Sequence, residues 1–301
     1  MFSVTFDDDI PLPSVNAEAY RSIYRIENWL RRIALTAYMN KYGSDWSSRI
    51  DKQLRNSLQR RVKGNAGRLY LDAESDENLI WLTMHRELHR LLLDDEVWPF
   101  VERILTVPRE VLASKLLELN EIRNMLAHNR ALTLRTSTIL AGLCASFEAG
   151  IHRFKDETLY GASRIVFEFD QSAIIEPLRQ YSALDLFRSG YQAYIEETDD
   201  LYELVCLPVP RGDRDWLSIP GVLRVFREHL SSILAFCLNV EGSEYRILLP
   251  KSLSVNEIGP IYAKFADNPM VWTDKAYVEQ GDKYLHNPRI WFYRNQKPDF
   301  E

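Results

Sequence analysis

The spacing of apolar residues changes near residue 157, and this change limits the fold more than any other feature of the chain. Before it, apolar residues recur every three or four positions, the period of an amphipathic helix. After it, the short runs "RIVFEF", "LYELVCLPV", "YRILLP" and "RIWFYR" alternate or cluster as strands do. The sequence therefore predicts an α+β protein. A lead-in over residues 1–15 precedes an all-α helical bundle over residues 16–157, and a mixed α+β domain follows over residues 158–301.

The first part is predicted to contain helices joined by short connections. They cover about residues 17–41, 44–62, 76–93, 94–105, 109–128 and 137–155. The apolar side of the first helix is expected to include Tyr20, Ile23, Tyr24, Leu30, Ile33, Ala34 and Ala37. In the second part, two helical pieces are predicted, over residues 173–195 and 219–238.

Charge and cysteine content restrict the class of protein. The chain of 301 residues has a net charge of -6, but Lys and Arg outnumber Asp and Glu as far as Lys155. The acidic excess lies in the remainder, so the first part is the better candidate for binding a polyanion. The cysteines, Cys144, Cys206 and Cys237, have neither zinc nor disulfide spacing. No apolar run approaches the roughly 20 residues that span a bilayer, and no secretion signal opens the chain. We therefore expect a cytoplasmic protein without a membrane or metal partner.

The helix predicted over residues 109–128 carries a charged residue on its apolar side. That side is formed by leucines at the spacing of a packed face: Leu112, Leu116, Leu119 and Leu126. Arg123 lies on the same line, three residues before Leu126. Because an unpaired buried guanidinium is very unfavourable, Arg123 requires a carboxylate, a phosphate or a subunit boundary as its partner.

Arg123 has two polar neighbours that suit the chemistry of a phosphodiester. Asn124 and His128 are separated by four residues and share a neighbouring face of the helix. A guanidinium can hold phosphate oxygens bidentately, and an imidazole can move a proton near neutral pH. The alternative interpretation is a structural pair that closes the helix.

The phrase "RNMLAH" resembles the R-[polar]-x-x-x-H motif of the HEPN (higher eukaryotes and prokaryotes nucleotide-binding) superfamily. The phrases "YRSIYRIENWLRRIALTAYMNKYGSDW" and "IRNMLAHNRALT" are similar to the large, defence-associated branch of that family. The resemblance covers about residues 16–155, and nothing in residues 158–301 resembles it. One departure is Arg130, which stands where HEPN toxins that are regulated by nucleotidyltransferase antitoxins carry a tyrosine.

The resemblance implies a metal-independent endoribonuclease without a cofactor. It implies a homodimer in which both motifs line one cleft, with attack by the RNA 2′-OH and products ending in a 2′,3′-cyclic phosphate and a 5′-OH. It assigns the acid/base role to His128, the phosphate clamp to Arg123 and the orienting role to Asn124. A toxin or antiviral effector role follows by analogy alone.

A second match to the short motif shows how little the motif says by itself. "RVFREH" also places Arg224 five residues before His229, but Val225 stands where a polar residue is expected. The surrounding apolar residues predict a helix whose role is packing. "HRELH", with His85 and His89, lacks the order of a zinc helix, and packing or surface roles are expected there too.

Other residues are expected to support the site. RNA binding is predicted for Arg130 and for a basic stretch, with a solvated helix face as the alternative: Arg49, Lys52, Arg55, Arg60, Arg61 and Lys63. Glu27 interrupts the apolar line of the first helix. It is predicted either to pair with Arg31, four residues on, or to meet Arg123 across the bundle and hold it.

Two rivals to the ribonuclease are kept open. The first is a non-catalytic HEPN module for nucleotide or RNA binding, or for dimerisation. The second places the main activity in residues 158–301, which the nuclease hypothesis treats as a sensor, docking or regulatory domain for a protein or phage-derived trigger.

Overall fold

The structure is a computed structural model, and it describes residues 14–65, 79–160, 164–167, 174, 177–178, 180–181, 192–207, 219–239, 245–267 and 290–293. The chain divides into two compact units that interleave along the sequence. Unit 1 contains residues 1–34 and 83–155, and unit 2 contains residues 35–82 and 156–301. Residues 35–82, predicted as part of the helical bundle, thus group with the C-terminal residues. Of the predicted lead-in, residues 1–13 lie outside the described residues.

The described helices are α1 Ser14–Tyr42, α2 Trp46–Arg49, α3 Lys52–Asn65, α4 His85–Leu92, α5 Trp98–Leu105, α6 Arg109–Ala127, α7 Leu134–Lys155, α8 Ile219–Val225 and α9 Val255–Asp267. Short 3-10 segments cover Gly43–Asp45, Leu79–Leu82 and Arg227–His229, and a π-helical turn covers Asp156–Tyr160. The helical N-terminal region and the C-terminal sheet described below make the protein α+β.

Unit 1 packs the first part of α1 with α4, α5, α6 and α7. The leucines predicted to form the apolar side of α6 are buried: Leu112, Leu116, Leu119 and Leu126. α5 and α7 approach closely at Gly150, where an added Cβ atom would lie 2.7 Å from Cδ2 of Leu105. α5 begins beside Pro99, whose fixed φ suits the first turn of a helix.

The structure corrects several helix predictions. Tyr20 and Tyr24 are not on the buried side of α1: their exposed fractions are 63% and 37%, while Ala19 and Ile26 are buried. The helix predicted from Ser44 is divided into α2 and α3 at Ile50, whose ψ of 145° is extended. Tyrosine is amphipathic, so its position on an apolar stripe predicts burial less well than that of an aliphatic residue.

The helix predicted over residues 76–93 is also broken, and residues 76–78 of it lie outside the described residues. Leu79–Leu82 forms a 3-10 segment. Met84 is then extended, with φ -75° and ψ 163°, and α4 begins at His85. The side chain of Glu87 accepts from the backbone N–H of Met84 at 2.8 Å, as the acidic residue of a capping box does. This local start signal overrides the continuous apolar pattern.

Unit 2 contains a six-stranded sheet in the order β1-β2-β3-β5-β4-β6. The strands are β1 Arg164–Phe167, β2 Gln192–Glu197, β3 Leu201–Leu207, β4 Ala235–Asn239, β5 Tyr245–Pro250 and β6 Ile290–Tyr293. β4 and β6 are parallel, and the other neighbours are antiparallel. β1, β3, β5 and β6 were predicted, but β2 and β4 lie in segments predicted as helical. Short apolar runs are ambiguous between helix and strand, and here pairing with distant strands decides.

One face of the sheet packs against α8 and α9. The apolar residues of "RVFREH" belong to this core, where Phe226 is fully buried and Val225 packs at the edge. The apolar residues of the "RVFREH" segment therefore have the packing role that the sequence predicts. The opposite face carries a buried charge cluster, in which Arg246 pairs with Glu196 and lies 2.6 Å from a carboxylate oxygen of Glu203.

Candidate functional site

The end of α6 is fixed by its own sequence. Asn129 has φ 55°, the left-handed conformation that asparagine tolerates best after glycine. Its backbone N–H donates to the carbonyl of Leu126 at 2.9 Å, and that of Arg130 donates to the carbonyl of Met125 at 3.0 Å. These two bonds form a Schellman motif, which makes His128 the C-cap residue. The imidazole therefore stands at the point where the chain leaves the helix.

The candidate catalytic side chains are accessible to solvent. The side chain of Arg123 is 41% exposed, although the leucines on its line are buried. Asn124 is half-buried, and His128 and Arg130 are exposed. Five residues of helix separate Arg123 from His128, roughly 7–8 Å along the axis. None of the three residues of the motif is sealed in the interior.

Glu27 of α1 is the buried partner of Arg123. Its Oε1 lies 3.1 Å from Nε of Arg123, and the carboxylate side chain is 9% exposed. Its Oε2 accepts from Nη2 of Arg31 at 3.3 Å. Both pairs considered from the sequence are therefore present, one on each carboxylate oxygen. The contact between Glu27 and Arg123 crosses from α1 to α6 and is made through Nε of the guanidinium.

Arg31 is anchored on the same carboxylate and on its surroundings. Its Nη1 donates to Oδ1 of Asn28 at 2.9 Å, and its Nη2 donates to the carbonyl of Thr83 at 3.0 Å. Thr83 precedes α4, in the break of the predicted helix. Arg31 therefore has a structural role: it connects α1 to the start of α4 and pairs with Glu27.

His85 is the member of the cluster that sequence reasoning missed. It is the first residue of α4, and its Nδ1 lies 3.0 Å from Oε1 of Glu27. Its Nε2 lies 2.8 Å from the carbonyl oxygen of Leu116 in α6. A signal was present in the sequence: His85 occupies the apolar side of α4, in line with Leu88 and Leu92. A polar residue on such a line requires a polar partner on a neighbouring helix.

The pKa of Glu27 reflects its neighbours more than its burial. Burial by itself raises the pKa of a carboxyl group. Here the hydrogen bond with His85 and the charges of Arg31, His85 and Arg123 outweigh that effect, and the pKa of Glu27 lies below its ordinary value of 4.5. Glu27 is therefore an ionised carboxylate at neutral pH that contacts Arg31, Arg123 and His85.

Asn16 fastens the segment that follows the candidate site. Its side-chain Nδ2 donates to the carbonyl of Arg130 at 3.1 Å, and its Oδ1 accepts from the backbone N–H of Leu132 at 3.1 Å. Asn16 lies near the start of α1, and Glu27 lies three turns further on, so α1 contacts α6 at Arg123 and the segment after α6 at Arg130 and Leu132. This antiparallel pairing holds both ends of the motif.

Searches of protein-family models, curated proteins and solved structures give no match for this chain. The HEPN resemblance therefore stays a prediction from the motif and its context. Among the described residues, no helix combines the length and the apolar character that crossing a membrane requires. Within the same residues, no three or more His, Cys, Asp or Glu side chains are grouped so that they could hold a metal ion.

The basic stretch predicted to bind RNA falls in α2 and α3, within unit 2. Its exposed members are Arg49, Lys52, Arg60 and Lys63. Arg55 and Arg61 are half-buried and make backbone contacts: Arg55 donates to the carbonyl of Ser48 at 3.2 Å, and Arg61 donates to the carbonyl of Leu82 at 2.8 Å. Those two arginines have structural roles in unit 2, and RNA binding by the stretch stays a prediction.

Proposed function

We propose that the chain is a metal-independent endoribonuclease of HEPN type, with unit 1 as its HEPN-like bundle. One observation carries the proposal: a half-exposed guanidinium, Arg123, is held by a buried ionised carboxylate on another helix. Here Glu27 contacts Arg123 at Nε, and the guanidinium remains partly open to solvent. Asn124 follows Arg123 on α6, and the exposed His128 caps the same helix.

These groups match the requirements of RNA cleavage by an internal nucleophile. The 2′-OH attacks the adjacent phosphorus and loses its proton to a general base, while the P–O5′ bond breaks and the 5′ oxygen gains a proton from a general acid. The products are a 2′,3′-cyclic phosphate and a 5′-OH. Arg123 stabilises the negative charge that develops on the non-bridging oxygens. Asn124 orients the phosphate or the imidazole, and His128 transfers the proton.

The reaction needs two proton-transfer groups, and the motif supplies one imidazole per chain. We infer that two copies pair through their bundles, so that one His128 acts as base and the other as acid around a single phosphate. Arg130 and the exposed cations of the basic stretch, Arg49, Lys52, Arg60 and Lys63, are proposed to contact the RNA backbone. A cytoplasmic toxin or antiviral effector, restrained or triggered through unit 2, is the biological role that accompanies this proposal.

The test is end-group analysis of a defined RNA incubated with the purified full chain, with and without EDTA. We expect cleavage to persist in EDTA and to leave cyclic phosphate and 5′-OH ends, and a matched oligodeoxynucleotide to stay intact because it lacks the nucleophile. His128→Ala and Arg123→Ala should abolish cleavage without changing the far-UV spectrum or the oligomeric state. The exposed residues His152 and Arg135, both on α7, provide matched controls as His152→Ala and Arg135→Ala.

Other outcomes would favour the two rivals. RNA or nucleotide binding that His128→Ala weakens, without any cleavage by the wild type, would indicate a non-catalytic binding module. Loss of the folded dimer in His128→Ala or Arg123→Ala would indicate a structural pair. Activity that survives both substitutions would point to the C-terminal residues. A 3′-hydroxyl on the RNA product would contradict the proposed chemistry directly.

A further inference from the structure

His85 connects the two helices that form the Glu27–Arg123 pair. It lies on α4 with a side chain that is 2% exposed. One ring nitrogen contacts Glu27 on α1, and the other contacts the backbone of Leu116 on α6. Leu116 lies two turns before Arg123 on the same helix. A single buried ring thus bridges the carboxylate and the helix that carries its partner cation.

The two partners of His85 decide which of its nitrogens carry protons. A backbone carbonyl only accepts, so Nε2 must donate to Leu116 over 2.8 Å. Glu27 also only accepts, because its pKa is lowered and the carboxyl is ionised. Nδ1 must therefore donate across 3.0 Å as well. Both nitrogens are donors at once, and the ring has no spare acceptor.

Glu27 divides its contacts between its two oxygens in a way that gives His85 a particular role. Oε2 is held by Arg31 of the same helix. Oε1 is the oxygen that Arg123 meets, and His85 donates to that same oxygen. Arg31 can therefore hold Glu27 through Oε2. The position of Oε1 relative to α6 depends on the hydrogen bond from His85. Among the described residues, Arg31, Arg123 and His85 act on the charge of Glu27, and His89 lies one turn after His85 on α4.

We propose that His85 is a positioning residue of the ribonuclease: by donating from Nδ1, it holds the Glu27 carboxylate in the orientation that directs Arg123, while its Nε2 attaches the ring to α6 at Leu116. This role rests on the proposed function of Arg123. His85 itself does not touch RNA. Its effect reaches the reaction through Glu27, so loss of its contact with Glu27 lowers the rate of the chemical step more than the affinity for RNA.

Two conservative substitutions separate the contacts of His85. In His85→Asn, the amide nitrogen occupies about the place of Nδ1 and can donate to Glu27, but the contact with Leu116 is lost. In His85→Gln, the amide nitrogen reaches about the place of Nε2 and can donate to Leu116, but the contact with Glu27 is lost. Each variant removes the ring and one hydrogen bond, so the pair is matched for its structural cost.

The experiment measures kcat and KM of RNA cleavage, with thermal melting of each variant. His85→Gln should lower kcat by about 10- to 100-fold with KM little changed, as substitutions of residues that orient a functional group do. His85→Asn should stay within about threefold of the wild type. Equal losses in both variants, losses that follow the melting temperature, or wild-type kcat in His85→Gln would each overturn the positioning role.

A spectroscopic measurement on the wild type does not depend on activity or on a variant that folds. In the full chain labelled with ¹⁵N-histidine, both ring nitrogens of His85 should show N–H signals. A bare ring nitrogen on His85 would overturn the inference. If the wild type cleaves no RNA, the proposed function fails while this measurement still reports on His85. If the wild type cleaves RNA and His85→Gln does so equally well, the positioning role alone fails.

Discussion

The carboxylate of Glu27 lies 3.1 Å from Nε of Arg123, so a buried carboxylate holds a partly exposed guanidinium. In most surface ion pairs both partners are mobile and contribute little. Here Arg31 and His85 hold Glu27 in place independently of its contact with Arg123. The pair therefore orients a cation at the protein surface, and its value lies in geometry more than in stability.

Replacing the carboxylate with a neutral amide tests whether it is the centre of the cluster. Glu27→Gln removes the charge that pairs with Arg31 and Arg123 and that accepts from the buried His85, so we expect the free energy of unfolding to fall by about 3 kcal/mol. Urea denaturation followed by circular dichroism measures it. Glu18→Gln, an exposed position on the same helix, is the control and should change stability by less than about 0.5 kcal/mol. A similar small change in both variants would contradict the central role of Glu27.

The same carboxylate predicts how stability responds to acid. The pKa of Glu27 is lower in the folded protein than its ordinary value of 4.5, so ionised Glu27 stabilises the fold fully above that pH. The stabilisation is lost as the pH falls below 4.5 through the lower folded pKa. Denaturation of the wild type and of Glu27→Gln, measured between neutral pH and strong acid, should give stabilities that converge as the pH falls. A constant difference across this range would count against the linkage.

Arg123→Lys tests whether the shape of the cation matters as well as its charge. A lysine ammonium cannot contact Glu27 through one nitrogen while presenting a planar fork to a phosphate. We expect kcat to fall by about 100-fold, and stability to change by less than about 1 kcal/mol because the side chain is partly open to solvent. Arg86→Lys, on the exposed side of α4, is the control. Full activity in Arg123→Lys would reduce the role of Arg123 to that of a simple charge.

The end of α6 depends on the left-handed backbone of Asn129. With φ 55°, this position accepts glycine without strain, so Asn129→Gly should leave the melting temperature unchanged or slightly higher. Asn129→Val should cost about 1–2 kcal/mol, because a β-branched side chain is disfavoured there. Ala131→Val, at an exposed position two residues on, controls for the added bulk. Equal melting temperatures for the two valine variants would show that the Schellman turn is dispensable.

Gly150 and Gly142 of α7 predict opposite effects of the same substitution. An added Cβ at Gly150 would lie 2.7 Å from Cδ2 and 3.1 Å from Cα of Leu105, so Gly150→Ala must separate α5 from α7 and should cost about 1–3 kcal/mol. Nothing lies within 4 Å of the corresponding point at Gly142. Gly142→Ala should stabilise the protein by about 0.5–1 kcal/mol. Differential scanning calorimetry of the two variants decides, and stabilisation by Gly150→Ala would contradict the close contact.

Features that depend on neighbours in the sequence were predictable. α6 covers almost the predicted residues, Pro99 stands at the start of α5, and β5 matches its predicted run. Features that depend on distant partners were not. β4 was predicted as the end of a helix because its apolar run has no period of its own, and it becomes a strand by pairing with β5 and β6.

The candidate site divides in the same way. Sequence alone determined that α6 carries Arg123 on a line of leucines and that the helix extends to about His128, because periodicity is local chemistry. Only the tertiary structure decided that Glu27 meets both Arg31 and Arg123, and that His85 completes the cluster. Those contacts join three helices, α1, α4 and α6. They depend on how far each helix is shifted and rotated against the others, and that is settled by packing of the whole unit.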